Sequence, residues 1–251
     1  EGQGTEQDSV KFVVTDDALW MANNGRALTD PDIQGLCGLG ASSKVDAAGT
    51  RRASIGHKGL GFKSVLEITE APAVFSTTHS FELGVHCARP HVDGLWAELG
   101  HADGPRGVPA MRFPAPIDGD EDQTWTMLRN DSNVAFRFPF RDSLDREGRS
   151  SLADLLLDLP LTTVLFLKHL EEVVVEVEQA GRSERQTWTI EREVRSGETW
   201  TRVPGLAGTG IYRISVTSSE ASARFVVAHD ADLQIGGHRT GLNGPAWDGV
   251  D

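Results

Sequence analysis

Two short apolar runs, residues 10–15 and 18–23, are separated by Asp16 and Asp17, a pattern that predicts a β-hairpin. A breaker follows at Asn24-Gly25. Thr29 then stands as an N-cap, with Pro31 in the first turn and Asp32 three residues after the cap, as in a capping box with Asp in place of Glu. This predicts a short helix to about Leu39, although Gly35 and Gly38 each weaken it by roughly 1 kcal/mol relative to Ala. The next stretch, "ASSKVDAAGTRRAS", is small, polar and aperiodic, and predicts a mobile loop. It runs into "SIGHKGLGFKSV", which carries Gly56, Gly59 and Gly61, and from Phe62 the apolar residues Phe62, Val65, Leu66 and Ile68 recur at helical spacing. The glycines therefore immediately precede a predicted helix N-terminus, where unpaired N–H groups and the dipole favour a phosphate.

Further along, residues 73–75 and 81–85 predict strands, and 89–133, rich in Gly, Pro and Asp, shows little pattern. "VAFRFPFR", residues 134–141, alternates and predicts a strand. "DSLDREGRSS" is a break, after which a helix is expected over 152–159, stopped by Pro160. A meander is expected next, with strands at 163–167, 173–177, 186–194, 210–216 and 223–228. The glycine-rich end, "QIGGHRTGLNGPAWDGVD", reads as a linker. The expected organisation is thus a first domain over 1–142 and a β-rich, transducer-like region over 143–251. No internal repeat sets a solenoid period.

Composition narrows the function. With 39% hydrophobic and 24% charged residues in 251, the chain is ordinarily globular, and no apolar run approaches the roughly 20 residues of a membrane span. Two cysteines, Cys37 and Cys87, make no disulfide framework and suit a reducing interior, so a cytoplasmic location is expected. The start, "EGQGTEQDS", has neither the basic nor the apolar region of a signal peptide. A net charge of −13 argues against a nucleic-acid surface, which needs clustered Lys and Arg. One segment runs against that trend: Lys44, Arg51, Arg52, Lys58 and Lys63 face a single acid, Asp46. A local cationic field in an acidic chain points to a small anionic ligand such as a nucleotide.

A dinucleotide-binding loop wants a strand directly before its glycines, and here a polar loop precedes them. A kinase glycine loop wants HRD and DFG downstream, and neither occurs. The order of hairpin, "NNG" turn, short helix, loop ending in GxxGxG, helix and strands resembles the Bergerat ATP-binding fold of the GHKL superfamily. Within it, "LWMANNGRALTDPDIQGLCGLGASSK" and "IGHKGLGFKSVLEITEAPAVFS" resemble the Hsp90-like ATPase domains of sacsin-type and NO VEIN-type proteins. The resemblance covers roughly residues 10–85. It implies an α+β fold, a Bergerat (Hsp90/histidine-kinase-like) α/β sandwich followed by a β-rich region, with ATP and Mg²⁺ as cofactors.

It also implies roles for individual residues. Asn23 stands where the family has an Asp that accepts a hydrogen bond from the adenine amino group; it keeps an acceptor oxygen without the charge. Gly25 matches a family glycine, Ala27 replaces the next one, and Val134 stands in place of an adenine-side Thr. Leu28 and Ile33 would wall the adenine or simply join the core. Ser43 and Lys44 match the "SSK" at the entrance to a lid over 40–55. Gly56, Gly59 and Gly61 match the glycine motif, so that the N–H groups of Gly59, Leu60, Gly61 and Phe62 would wrap the phosphates, with Lys58 beside them.

Catalysis is where the chain departs from the pattern. The family's water-activating Glu and its Mg²⁺-holding Asn, spaced ExxxN on a helix before the hairpin, have no counterpart before Val10. Two readings stay open: the helix lies upstream, which a start without Met favours, or nucleotide is bound without hydrolysis. The implied role is an ATP-driven conformational switch in a larger chaperone-like or assembly ATPase, with downstream domains, a protein client or a nucleotide-dependent dimer as partners. The alternative is a non-hydrolysing scaffold. His86, Cys87, His91 and His101 form a weak metal pattern without a CxxC anchor, and no GxSxG elbow supports acyl transfer.

Overall fold

The computed structural model of the chain describes residues 8–38, 61–100, 107–163, 167, 169–206 and 208–229. The hairpin is β1 (Ser9–Thr15) and β2 (Ala18–Asn23), paired antiparallel with Val10 opposite Asn23 and Val14 opposite Leu19. Its turn is tied by Thr15, whose hydroxyl donates to Asp17 Oδ1 at 2.5 Å and accepts from the Ala18 N–H at 3.1 Å. Helix α1 (Asp30–Cys37) begins where the cap pattern places it. The Asp32 carboxylate reaches back to the Thr29 N–H at 3.0 Å and to its hydroxyl at 2.7 Å.

After the glycine run the chain forms a 3₁₀ helix, Gly61–Glu67, in place of the expected α-helix. Strands β3 (Ala73–Ser76) and β4 (Ser80–Glu82) follow, then α2 (Val85–Glu98). The strand expected over 81–85 thus stops at Glu82, because Gly84 ends it and Val85 is already helical. Short elements β5 (Ala115–Pro116) and α3 (Gln123–Leu128) lead to β6 (Val134–Pro139). The "DREGRSS" stretch is helical, not a break: α4 spans Arg146–Leu157, and Asp145 caps it by accepting from the Gly148 N–H at 2.8 Å. The rest is β7 (Glu172–Gln179), β8 (Arg182–Ser196), β9 (Thr199–Val203), β10 (Gly210–Ser218) and β11 (Ser222–His229). Of the strand expected over 163–167, Thr163 sits in a helical turn and 164–166 lie outside the described residues, as does the C-terminal linker.

These strands form one mixed sheet in the order β11-β10-β8-β7-β1-β2-β6-β3-β4-β5, with β9 added beside β8. Every pairing is antiparallel except β1 with β7, which runs parallel from Ser9–Glu172 to Thr15–Glu178. This pairing carries the sheet from the hairpin into the meander. The mixed helix and strand content and the large mixed sheet make the protein α+β.

The period of two sorts the side chains between two faces. On one, Val14, Leu19, Phe138, Val173, Val175 and Val177 are buried under Ala153 of α4, with Phe62, Val65 and Ile68 of the 3₁₀ helix packed alongside. On the other, Val13, Trp20, Ala22, Ala73, Phe75 and Ala135 pack against Trp125 and Leu128 of α3. Both faces of β6 are therefore covered. Arg137 emerges on the second face with its guanidinium 5.7 Å from the Trp20 ring, between Asp17 and Asp122. No described helix is long and apolar enough to cross a membrane.

Candidate functional site

The most fully built part of the candidate site is the turn that leaves β2. Asn23 is the last residue of that strand, on the sheet face of Leu19 and Met21, opposite the buried Val134. Its Oδ1 accepts from the Gly25 N–H at 3.1 Å, closing an Asx turn. A Cβ on Gly25 would approach that oxygen to 2.9 Å, so any larger residue here has to push the Asn23 amide aside.

Residues remote in sequence hold this turn. Asn133 Nδ2 donates to the carbonyls of Asn24, at 3.1 Å, and Gly25, at 3.0 Å. Asn24 Oδ1 accepts from the Ser9 N–H at 2.9 Å. Leu28 is gripped on both backbone groups: its N–H donates to Ser76 Oγ at 3.1 Å and its carbonyl accepts from Thr78 Oγ1 at 2.8 Å. Arg26 makes a two-pronged pair with Asp32, at 2.6 and 2.8 Å, which hydrogen-bonds and holds the guanidinium more firmly protonated. Sequence reasoning found the turn but missed its supports. A Ser-x-Thr that begins on the last residue of β3 and an Asn before β6 carry no sign of where they reach.

Leu28 and Ile33 do join the core: with Leu36, Cys37, Phe62, Leu66 and Phe136 they pack on buried Val74, Phe81, Leu83 and Met111. That cluster brings the turn and α1 together with the 3₁₀ helix that follows the glycine run. Phe62 also stands 5.4 Å from the Phe136 ring and 6.3 Å from that of Phe138, anchoring the 3₁₀ helix to the sheet. Thr69 is fully buried and its hydroxyl accepts from the Ala71 N–H, a structural role. Gly61 opens the 3₁₀ helix. Ser43, Lys44, Gly56, Lys58, Gly59 and Leu60 lie outside the described residues, as does the lid over 40–55.

Near the turn, a cavity of about 420 Å³ lies over β1, β2 and β7, lined by Val10, Phe12, Met21, Val173, Leu159 and Leu170, with Thr163 and His169 as its polar members. It is of small-ligand size, and among the described residues its lining holds neither Lys nor Arg to meet a phosphate. The site fits the implied nucleotide in part. The Asn23 carbonyl oxygen has a second lone pair beyond the one used by Gly25, and so retains acceptor capacity for a base. No residue of the chain is assigned to Mg²⁺.

The family profile described as "Sacsin domain" matches residues 5–189. The chain belongs to the sacsin-domain family. The match runs from the N-terminal side of the hairpin into β8, and so crosses the sheet from the turn into the meander. Among curated proteins, the sacsin domain here is similar to Protein NO VEIN of Arabidopsis thaliana, 29% identical over 79 residues. That alignment covers 32% of this chain and 3% of the plant protein, so the sacsin domain spans a small part of that relative's length.

Proposed function

We propose that this sacsin domain is an ATP-binding module of the Hsp90-like, GHKL type with a Bergerat fold, in which closure of a lid over nucleotide switches the conformation of a larger chaperone-like or assembly protein. The observation that carries the reading is the convergence of the two motifs on one cluster. Leu28 and Ile33, from the turn and α1, and Phe62, from the end of the glycine run, pack against the same buried cluster of Val74, Phe81, Leu83 and Met111, and the Phe62 ring meets Phe136 on the sheet face of Asn23. Two motifs about 30 residues apart thereby border one region, as the two ends of a nucleotide site require.

In this reading Asn23 and Gly25 meet the base, Leu28 lies beside it, and the backbone N–H groups of Gly59 to Phe62, with Ser43, Lys44, Gly56 and Lys58, meet the phosphates. The helix after the glycines is a 3₁₀ helix of seven residues, so its macrodipole is small and the individual N–H groups carry the anion. Mg²⁺, when bound with ATP, would neutralise phosphate charge. The chain's own part is to bind and orient. A first domain over 1–142 would hold the nucleotide and the region over 143–251 would transmit the change, through the β1–β7 pairing.

A second reading, a non-hydrolysing scaffold domain, is favoured by one observation: the Asn23 carbonyl oxygen has a structural use, accepting from the Gly25 N–H to close an Asx turn. Calorimetry separates the two. Titration with ATP and ADP, with and without Mg²⁺, is expected to give binding that falls about tenfold in Asn23→Ala, the worth of one hydrogen bond of about 1.4 kcal/mol. No binding heat with any of these nucleotides overturns the proposal in favour of the scaffold.

A further inference from the structure

Where β4 hands over to α2, three side chains of metal-ligating chemistry meet. Glu82 ends the strand, and His86 and Cys87 lie in the first turn of the helix. His86 Nε2 is 3.1 Å from Cys87 Sγ and 3.4 Å from Glu82 Oε2, and the three ligand atoms lie within 4.8 Å of one another. Neighbours in sequence seldom aim at one point. Here they do so because the His86 ring folds back over Gly84, where a Cβ would come within 2.7 Å of Cε1 and Nδ1. His91 is not part of the group, since its ring stacks on Phe113 at 5.2 Å; His101 lies outside the described residues.

We infer that Glu82, His86 and Cys87 form a binding site for a zinc-like transition-metal ion. A four-coordinate ion with Zn–N and Zn–O near 2.0 to 2.1 Å and Zn–S near 2.3 Å separates its ligand atoms by roughly 3.3 to 3.6 Å, and the two distances from His86 Nε2, 3.1 and 3.4 Å, need only small side-chain adjustments to reach it. Without a metal, the Nε2 edge of His86 faces the Glu82 carboxylate and the Cys87 sulfur, and all three atoms carry lone pairs that converge on one point. A cation at the centre uses one lone pair from each of the three atoms. Thiolate, imidazole and carboxylate together select Zn²⁺ or Co²⁺ over Mg²⁺ or Ca²⁺. On binding, the Cys87 S–H proton leaves to solvent and the sulfur coordinates as thiolate. Cys87 is buried, whereas the His86 and Glu82 side chains are 57% and 32% exposed, so the fourth position opens to water or to an outside ligand.

The test is titration of the purified, metal-stripped full chain with Co²⁺, followed by visible and near-ultraviolet absorption and then by Zn²⁺ competition. The expected result is saturation at one equivalent, with four-coordinate ligand-field bands and a thiolate charge-transfer band, both bleached by Zn²⁺. Cys87→Ser removes the charge-transfer band. His86→Ala and Glu82→Gln weaken binding by about tenfold or more, the size that even a lost supporting contact costs. Cys37→Ser leaves the spectrum unchanged, and circular dichroism establishes that each variant is folded. Absence of the bands at one equivalent in folded protein overturns the site. So does a spectrum that survives Cys87→Ser or disappears with Cys37→Ser.

Discussion

Replacing Asn133 by Ala isolates what holds the candidate base-binding turn. The change removes only two bonds, from Nδ2 to the Asn24 and Gly25 carbonyls, because the backbone of residue 133 keeps its own bonds to the Asn23 carbonyl at 2.9 Å and from the Thr77 N–H at 3.3 Å. Each side-chain bond contributes a net 0.5 to 1.5 kcal/mol, so the loss is about 2 kcal/mol, with partial rehydration of the freed carbonyls pulling it toward the lower end. Asn133→Asp is the sharper probe. It keeps the size but puts a carboxylate where a donor faced two carbonyl oxygens, so the expected order of stability at neutral pH is Asn, then Ala, then Asp. Urea denaturation checks it through the midpoint, with the slope unchanged if only native contacts are lost. An Ala variant within about 0.5 kcal/mol of wild type, the range of an ordinary surface change, refutes the reasoning, as does an Asp variant no worse than Ala.

Three further outcomes are expected. Phe62→Ala, which frees the 3₁₀ helix from Phe136 and Phe138, should cost about 2 to 4 kcal/mol by urea denaturation, slightly below a fully buried Phe because the ring is half-buried. Arg192 is 2% exposed and donates to the Leu167 carbonyl, while its Nε and Nη1 groups find no hydrogen-bond partner among the described residues; burial lowers its pKa. Arg192→Met should therefore be neutral or stabilising by about 1 to 2 kcal/mol, and a loss of that size would show that the bond to Leu167 and the Glu171 charge outweigh the cost of burying the guanidinium. The Glu193 carboxyl is held below its usual range by the hydrogen bond from Arg213. Its contribution is thus present above the unfolded carboxylate's pKa, near 4.5, and fades as pH falls through the lower folded value. Calorimetric scans should show Glu193→Gln melting below wild type at pH 6, with the gap closing as the pH falls below about 4.5 and through the lowered folded value, where the carboxyl becomes neutral.

What the sequence disclosed followed the strength of local signals. The hairpin was legible because Asp16 and Asp17 interrupt an apolar alternation, and α1 because Thr29, Pro31 and Asp32 mark its start. Helix α2 was hidden: it buries only Cys87 and Ala88 and carries Pro90 in its body, so it has neither a broad apolar stripe nor an uninterrupted run of formers. The start of α4 was misjudged since its first turns are polar and include Gly148. The parallel β1–β7 pairing joins segments about 160 residues apart, and no local pattern sets such a register. The same holds for the site. Gly25 and the glycine run announced themselves, but the supports at Asn133, Ser76 and Thr78 reach the turn across 48 to 109 residues.

Hydrogen exchange with and without Mg²⁺-ATP tests the central claim most directly, because it reads both ends of the proposed site in one experiment. Added protection is predicted at residues 23–28 and at 56–62 together, with Asn23→Ala needing about tenfold more nucleotide to reach it. Protection at neither segment under saturating nucleotide, or at one alone, would contradict a shared nucleotide site.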